Sequence, residues 1–278
     1  MFDRGGYELD PENIRVVFLT VWFVKGLFAK AVYVYFMGVL FLAGLIEPKR
    51  PQAYVVAKRI ADLVARRMYV EAYGVRFRPI DFLSIPIVAP VFERWAWRYL
   101  RLKKGDVFLD LGAHIGKYSC VAAGLVGDEG RVIAIEPHSG NFKALMRNLE
   151  LNKIKNVVAL NLAAYDHDGV VELFEGANSS GRSSIKLNDG VGSEAVQARA
   201  LDNVPEVAGL KRVDLVKVDV EGSEYEAIAG MAGILRAHKP SLLIEVWEIA
   251  KVKPLLLQLG YTAFDLDPHR RGYYFISA

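Results

Sequence analysis

Hydrophobic and polar positions change their rhythm near residues 103–106. Upstream, residues 14–46 are apolar apart from Arg15, Lys25 and Lys30, and 31–46 carry no charge at all. Downstream, short apolar runs alternate with stretches whose apolar residues recur at helical spacing, which predicts strands and helices in turn. This change divides the chain into a helical, hydrophobic and basic region over 1–102 and a second domain over 103–278.

In the second domain, runs at 107–111, 131–135, 157–162, 214–218 and 242–246 read as buried strands, and 115–125, 141–151 and 225–237 as the helices between them. A further pair of strands, 170–174 and 195–200, flanks a polar segment at 176–193. Near the end, 263–266 and 273–276 flank a turn at 268–272, so the sheet should close with an antiparallel hairpin. Strands alternating with helices predict an α/β fold, a mostly parallel sheet with helices on both faces and ligands at the strands' carboxyl ends.

The charge-free run upstream is short for a membrane span, which wants about 17–25 apolar residues. It crosses only if it begins near Gly26 and Lys30 snorkels to the surface. At helical pitch Lys25 and Lys30 stand about 140° apart, which argues against a clean in-plane stripe. Two expectations follow: membrane association through residues 14–46, or a buried helical hairpin packed on the following domain. A helix over 52–70 comes next, with Ala57, Ile60, Ala61, Val64 and Met68 on one side and Lys58, Arg59, Arg66 and Arg67 broadly opposite. That basic side suits water or lipid headgroups. If 26–46 spans, the Lys and Arg excess that follows places the domain at the cytoplasmic face of the membrane; otherwise a cytoplasmic protein is expected.

Composition adjusts this picture little. The 278 residues are ample for a core, and the 53% hydrophobic content exceeds that of an ordinary soluble enzyme. A net charge of +3 is too mild to announce a nucleic-acid binder. The single Cys120 excludes an intramolecular disulfide and a multi-Cys metal site, and fits a reducing compartment. Asp3, Glu8, Asp10 and Glu12 stand where a signal peptide would be basic.

The strongest chemical signal is Asp110, Gly112, Ala113, His114 and Gly116 at the end of the first strand. Two glycines permit a sharp turn and a close backbone approach, and the helix that follows offers amide donors. A dinucleotide site would have Gly-x-Gly-x-x-Gly; the spacing here is Gly-x-x-x-Gly with an Asp two positions ahead, which disfavours NAD. A carboxylate at this place suits the cationic amino-acid end of S-adenosylmethionine better than a pyrophosphate. Glu136, beside Pro137 at the second strand end, is placed to take both hydroxyls of a ribose. At the third strand end, Asn161, Ala163 and Ala164 should pass the adenine edge. Lys217, Asp219, Glu221, Gly222 and Glu224 then turn the fourth strand into a helix and present three carboxylates.

Together with the run from Lys239 to Glu245, these motifs resemble the FkbM-like family of S-adenosylmethionine-dependent methyltransferases over roughly residues 103–262. The resemblance implies a seven-stranded class I, Rossmann-like methyltransferase fold and O-methylation of a hydroxyl, often on a sugar or a polyketide. It implies that Asp110, Gly112 and Gly116 line the cofactor, that Glu136 binds its ribose, and that Asp219, Glu221 and Glu224 flank the acceptor. His114 departs from the pattern, where Asn is usual, which puts its cofactor contact in question.

Methyl transfer to a hydroxyl is served by positioning and by a nearby base. Asp219 or Glu221 is the expected base; Glu221 and Glu224 could equally be partners of a helix N-terminus. His114, His138 and His167 are rival bases. No His–carboxylate spacing demands a metal. Ser179, Ser180, Arg182, Ser183 and Ser184 in the polar segment suit either a lid over the acceptor or an ordinary hairpin loop. The expected acceptor is a small molecule or glycan: a glycan, a lipid-linked saccharide or a secondary metabolite. The alternatives are an RNA methyltransferase using the basic 52–70 surface, and a non-catalytic membrane-tethered scaffold that kept the pocket.

Overall fold

A computed structural model describes residues 11–46, 51–176, 183–186, 192–266 and 272–278. The chain forms two compact units that meet in sequence at Arg94 and Trp95, somewhat before the compositional change at Lys103. The earlier boundary has a cause: Ala96 and Leu100, with Trp95, Trp97, Tyr99 and Leu102, pack into the same apolar cluster as Phe108, Tyr118, Val126 and Val132. The aromatic turn at Ala96–Arg98 therefore belongs to the second unit.

The first unit contains α1 (Pro11–Thr20), α2 (Leu27–Ile46), α3 (Pro51–Ala65), the hairpin of β1 (Val70–Ala72) and β2 (Val75–Phe77), and the short α4 (Ser84–Val88). Helices α2 and α3 pack side by side. Tyr33 of α2 is buried and stacks on Phe82, ring centroids 5.1 Å apart. The helix expected over 52–70 stops at Ala65, because the chain enters a hairpin instead: Tyr73 and Gly74 both take positive φ, the geometry of a two-residue turn. Ala61 and Met68 are packed as expected, whereas Ile60 is exposed. The membrane span expected over 26–46 is not supported: among the described residues no helix is long and apolar enough to cross a membrane.

The second unit builds on β3 (Val107–Leu111), α5 (Lys117–Val126), β4 (Arg131–Ile135), α6 (Ser139–Leu151), β5 (Val157–Leu160), β6 (Ala163–Ala164), β7 (Gly169–Phe174) and β8 (Ser193–Arg199). It continues with α7 (Pro205–Ala208), β9 (Leu215–Val218), α8 (Glu224–Ala229), α9 (Ala232–His238), β10 (Ser241–Glu245), α10 (Ile249–Gln258), β11 (Ala263–Leu266) and β12 (Tyr273–Ser277). The main sheet has seven strands in the order β11-β12-β10-β9-β3-β4-β5. It is parallel from β10 to β5, and β12 inserts antiparallel between β10 and β11. This is the seven-stranded Rossmann-like sheet that the motifs imply, with the antiparallel closing hairpin. The turn at 268–272 lies outside the described residues apart from Gly272.

Residues of β3, β4, β9 and β10 are buried almost without interruption because helices cover both faces of the sheet. The further pair of strands expected at 170–174 and 195–200 forms as β7 and β8, which with β6 make a separate three-stranded sheet. The helix expected over 225–237 is broken into α8 and α9 at Gly230, where a Cβ would stand 1.8 Å from the carbonyl oxygen of Tyr165. Strand order reverses between β3 and β9, which opens a crevice at their carboxyl ends.

Candidate active site at the strand-order reversal

The loop after β3 occupies that crevice. Gly112 (φ 80°) brings its backbone against β9's exit: a Cβ there would stand 1.8 Å from the carbonyl oxygen of Asp219. The amides of Gly112 and of the buried Ala113 both donate to the Ile135 carbonyl, at 2.9 and 3.0 Å. His114 holds φ 51°, a left-handed conformation that Asn, Asp and His tolerate better than other side-chain-bearing residues. His therefore keeps the backbone shape that the expected Asn would take. Gly116 (φ 91°) opens α5, and a Cβ there would reach 2.6 Å from Leu145 Cδ1 and 3.3 Å from Cys120 Sγ. Cys120 is buried in α5, as expected of a core residue.

Glu136 stands at the end of β4 and is buried. Its Oε2 accepts the His114 amide at 2.8 Å, and its Oε1 accepts the His138 amide at 3.0 Å and Asn141 Nδ2 at 3.3 Å. Burial pushes this carboxyl up to about 7, against the pull of those donors. Asn161 Nδ2 donates to the carbonyls of Glu136 and Pro137, both at 2.9 Å, and so fixes the loop above β4. His138 caps α6, its Nδ1 accepting from the Asn141 amide at 3.2 Å. Its Nε2 lies 3.7 Å from Glu175 and 3.9 Å from Glu194. Ala163 is buried in β6.

Asp110 is fully buried on β3. Its Oδ2 accepts from Ser119 Oγ at 2.5 Å, while Oδ1 has no hydrogen-bond partner. Burial raises this carboxyl above the ordinary range, opposed first by the nearby Lys217 charge. Asp110 and Lys217 are register partners on β3 and β9. Lys217 Nζ donates to Asp219 Oδ2 at 2.8 Å and lies over the Tyr118 ring, 4.8 Å from its centroid. A buried ammonium between two carboxylates and an aromatic face keeps this crowded end electrically tolerable.

Among the three expected acceptor-side carboxylates, Asp219 and Glu221 are partly exposed, and Glu224 is buried. Glu224 accepts the Gly222 amide at 2.7 Å and the Trp247 amide, and burial raises it above the ordinary carboxylate range. It ties the turn after β9 to the turn after β10. Glu221 holds φ 50°, and its carbonyl accepts from Ser184 Oγ at 2.6 Å. Lys186 Nζ pairs with Glu226 at 2.7 Å. The far part of the polar segment therefore touches the acidic turn through Ser184 and Lys186; Ser179, Ser180 and Arg182 lie outside the described residues. His167 sits exposed beside Asp166, Nδ1 to Oδ1 2.6 Å.

The sequence motif leaves Lys217 without a role: it stands on β9 two residues before Asp219, just past the strand end, and meets Asp110 only through strand register. Sequence reasoning also missed Ser119, Asn141 and Trp247, which no local pattern marks.

The family described as "Methyltransferase FkbM domain" matches residues 110–262. A second match, to the protein-L-isoaspartate(D-aspartate) O-methyltransferase family, covers residues 44–171. Methyltransferase sdnD of Sordaria araneosa is 25% identical over 216 residues, which is 66% of this chain and 83% of that protein. The hexuronic acid methyltransferase AglP of Haloferax volcanii is 27% identical over 180 residues, 60% of this chain and 69% of that protein. A crystal structure of methyltransferase FkbM from Methylobacillus flagellatus KT superposes with a TM-score of 0.47 at 16% identity, covering 95% of this chain and 58% of that one.

Proposed function

This chain belongs to the methyltransferase FkbM family, and from that premise we propose that it transfers a methyl group from S-adenosylmethionine to a hydroxyl of a glycan, a lipid-linked saccharide or a secondary metabolite. The observation that carries the reading is Glu136: a buried carboxylate at the second strand end, clamped by the amides of His114 and His138 beside the glycine loop. The residues fit the cofactor. The unpartnered Oδ1 of Asp110 and the loop kept free of side chains at Gly112 and Gly116 suit a ligand with a cationic end and a sugar diol.

When bound, the cofactor supplies a methyl group already activated by a positive sulfur. Asp110 and the Gly112–Gly116 loop would hold its amino-acid end, Glu136 its ribose hydroxyls, and Pro137 and Ala163 its base. Asp219 would take the proton from the acceptor hydroxyl as the new bond forms, and Lys217, its hydrogen-bond donor, would aim that carboxylate. Glu221 is the neighbouring carboxylate able to share the role. Glu224, buried and committed to backbone amides, shapes the acceptor wall. The relative named for hexuronic acid methylation supports a saccharide acceptor.

Calorimetry with S-adenosylhomocysteine tests the pocket without an acceptor, and transfer of labelled methyl to the isolated glycan and lipid fractions tests the reaction. Micromolar binding together with an alkali-stable methyl ether in the product supports the proposal; no binding, or methyl esters or amines instead, overturns it. In Asp219→Asn, turnover should fall about 10²–10⁴-fold with S-adenosylhomocysteine affinity kept. Full turnover would move the base to Glu221.

A further inference from the structure

Trp247 stands two residues past the end of β10 and is a large aromatic side chain left 43% exposed at the carboxyl edge of the sheet. Its position is held from two sides. Its amide is taken by the buried Glu224 carboxylate, which also takes the Gly222 amide. Its ring lies against Gly222: a Cβ there would stand 3.1 Å from Trp247 Cε3 and Cζ3, and 3.6 Å from Cβ of Lys186. Gly222 has φ 101°, so the turn that carries Asp219 and Glu221 is shaped to leave room for this ring.

An indole so fixed presents an electron-rich face. Its neighbours are polar: Lys186, whose Cβ lies by the same Gly222, and along the chain Glu221 next to Gly222 and Glu245 two residues before Trp247. A flat aromatic acceptor would need apolar walls on both sides. A pyranose instead offers a face of weakly positive C–H groups to the ring and hydroxyls at its rim to the carboxylates. Resting on the methyl-transfer reading above, we infer that Trp247 is the platform on which the acceptor's sugar ring stacks, and that Glu224 is the positioning residue that holds it there.

The test is saturation-transfer NMR on the full chain loaded with S-adenosylhomocysteine, with methyl β-D-glucopyranoside and methyl β-D-glucuronoside as probes and benzyl alcohol as the aromatic control. The expected result is saturation of the ring C–H protons of at least one glycoside. The signal should fall about tenfold or more in Trp247→Ala and be restored in large part in Trp247→Phe, with S-adenosylhomocysteine affinity unchanged in both. Equal glycoside signals in wild type and Trp247→Ala overturn the inference. So does Trp247-dependent uptake of benzyl alcohol alone, or absence of glycoside binding while S-adenosylhomocysteine binds; in both cases the methyltransferase reading stands. If S-adenosylhomocysteine itself does not bind, that reading falls and this one with it.

Discussion

Gly112 and Asp219 meet backbone to backbone, with 1.8 Å between the place a Cβ would take on Gly112 and the Asp219 carbonyl oxygen. The contact joins the loop after β3 to the turn after β9. Gly112→Ala must push the two strand ends apart and hold a left-handed φ, at a cost of about 1–3 kcal/mol for the overlap and roughly 1 more for the conformation. We expect a lowered melting temperature and loss of S-adenosylhomocysteine binding, both read by thermal shift with and without the ligand.

Glu136 should make binding depend on pH. Its folded-state carboxyl is pushed up to about 7 from an ordinary 4.5, so the folded chain holds a proton that the unfolded chain releases. Its contribution to stability is fully present below about 4.5 and is lost as pH rises through about 7. A ribose diol donates to the ionised form, so affinity for S-adenosylhomocysteine should move the other way, rising between pH 6 and 8. Calorimetry across that range should show the slope in wild type, and Glu136→Gln should bind weakly without it.

Lys217→Met should remove the ammonium that faces Asp110 and Asp219. Breaking a buried ion pair from one side costs about 3–5 kcal/mol, and the partial exposure of Asp219 puts the expectation at the low end. Urea unfolding measures it. Turnover should fall with the same variant, because Asp219 loses the group that aims it; a variant as stable and active as wild type would contradict the arrangement.

Ser119→Ala is a smaller change at a more enclosed place. Ser119 Oγ is the donor to Asp110 Oδ2, 2.5 Å away and with no solvent contact. The Ser119 amide remains as a donor to Asp110, so losing the hydroxyl should cost about 1 kcal/mol. Because the other carboxylate oxygen is already without a partner, the loss should shrink when S-adenosylhomocysteine is present, measurable as a larger ligand-induced rise in melting temperature than in wild type.

The sheet was legible because its strands are short apolar runs bounded by turn residues, a length and flanking that favour strands over helices. The tight loop after β3 was legible for a related reason: a glycine pattern at a strand end has a backbone cause that the chain states locally. What the sequence withheld depends on partners distant along the chain. The break at Gly230 comes from the Tyr165 carbonyl, the burial of Glu224 from Gly222 and Trp247, and the use of Lys217 from its register with Asp110. The hairpin at Val70 was hidden behind a helical periodicity that ends at Ala65.

Cys120 gives the molecule an internal reporter. The chain has one thiol, and burial pushes it up to about 12, so at neutral pH it is neutral and shielded inside α5, packed close to the Gly116 turn. An alkylating reagent can reach it only when that helix opens, which turns the labelling rate into a clock for local unfolding directly behind the glycine loop. A single native thiol thus allows the breathing of the pocket floor to be timed without engineering any residue.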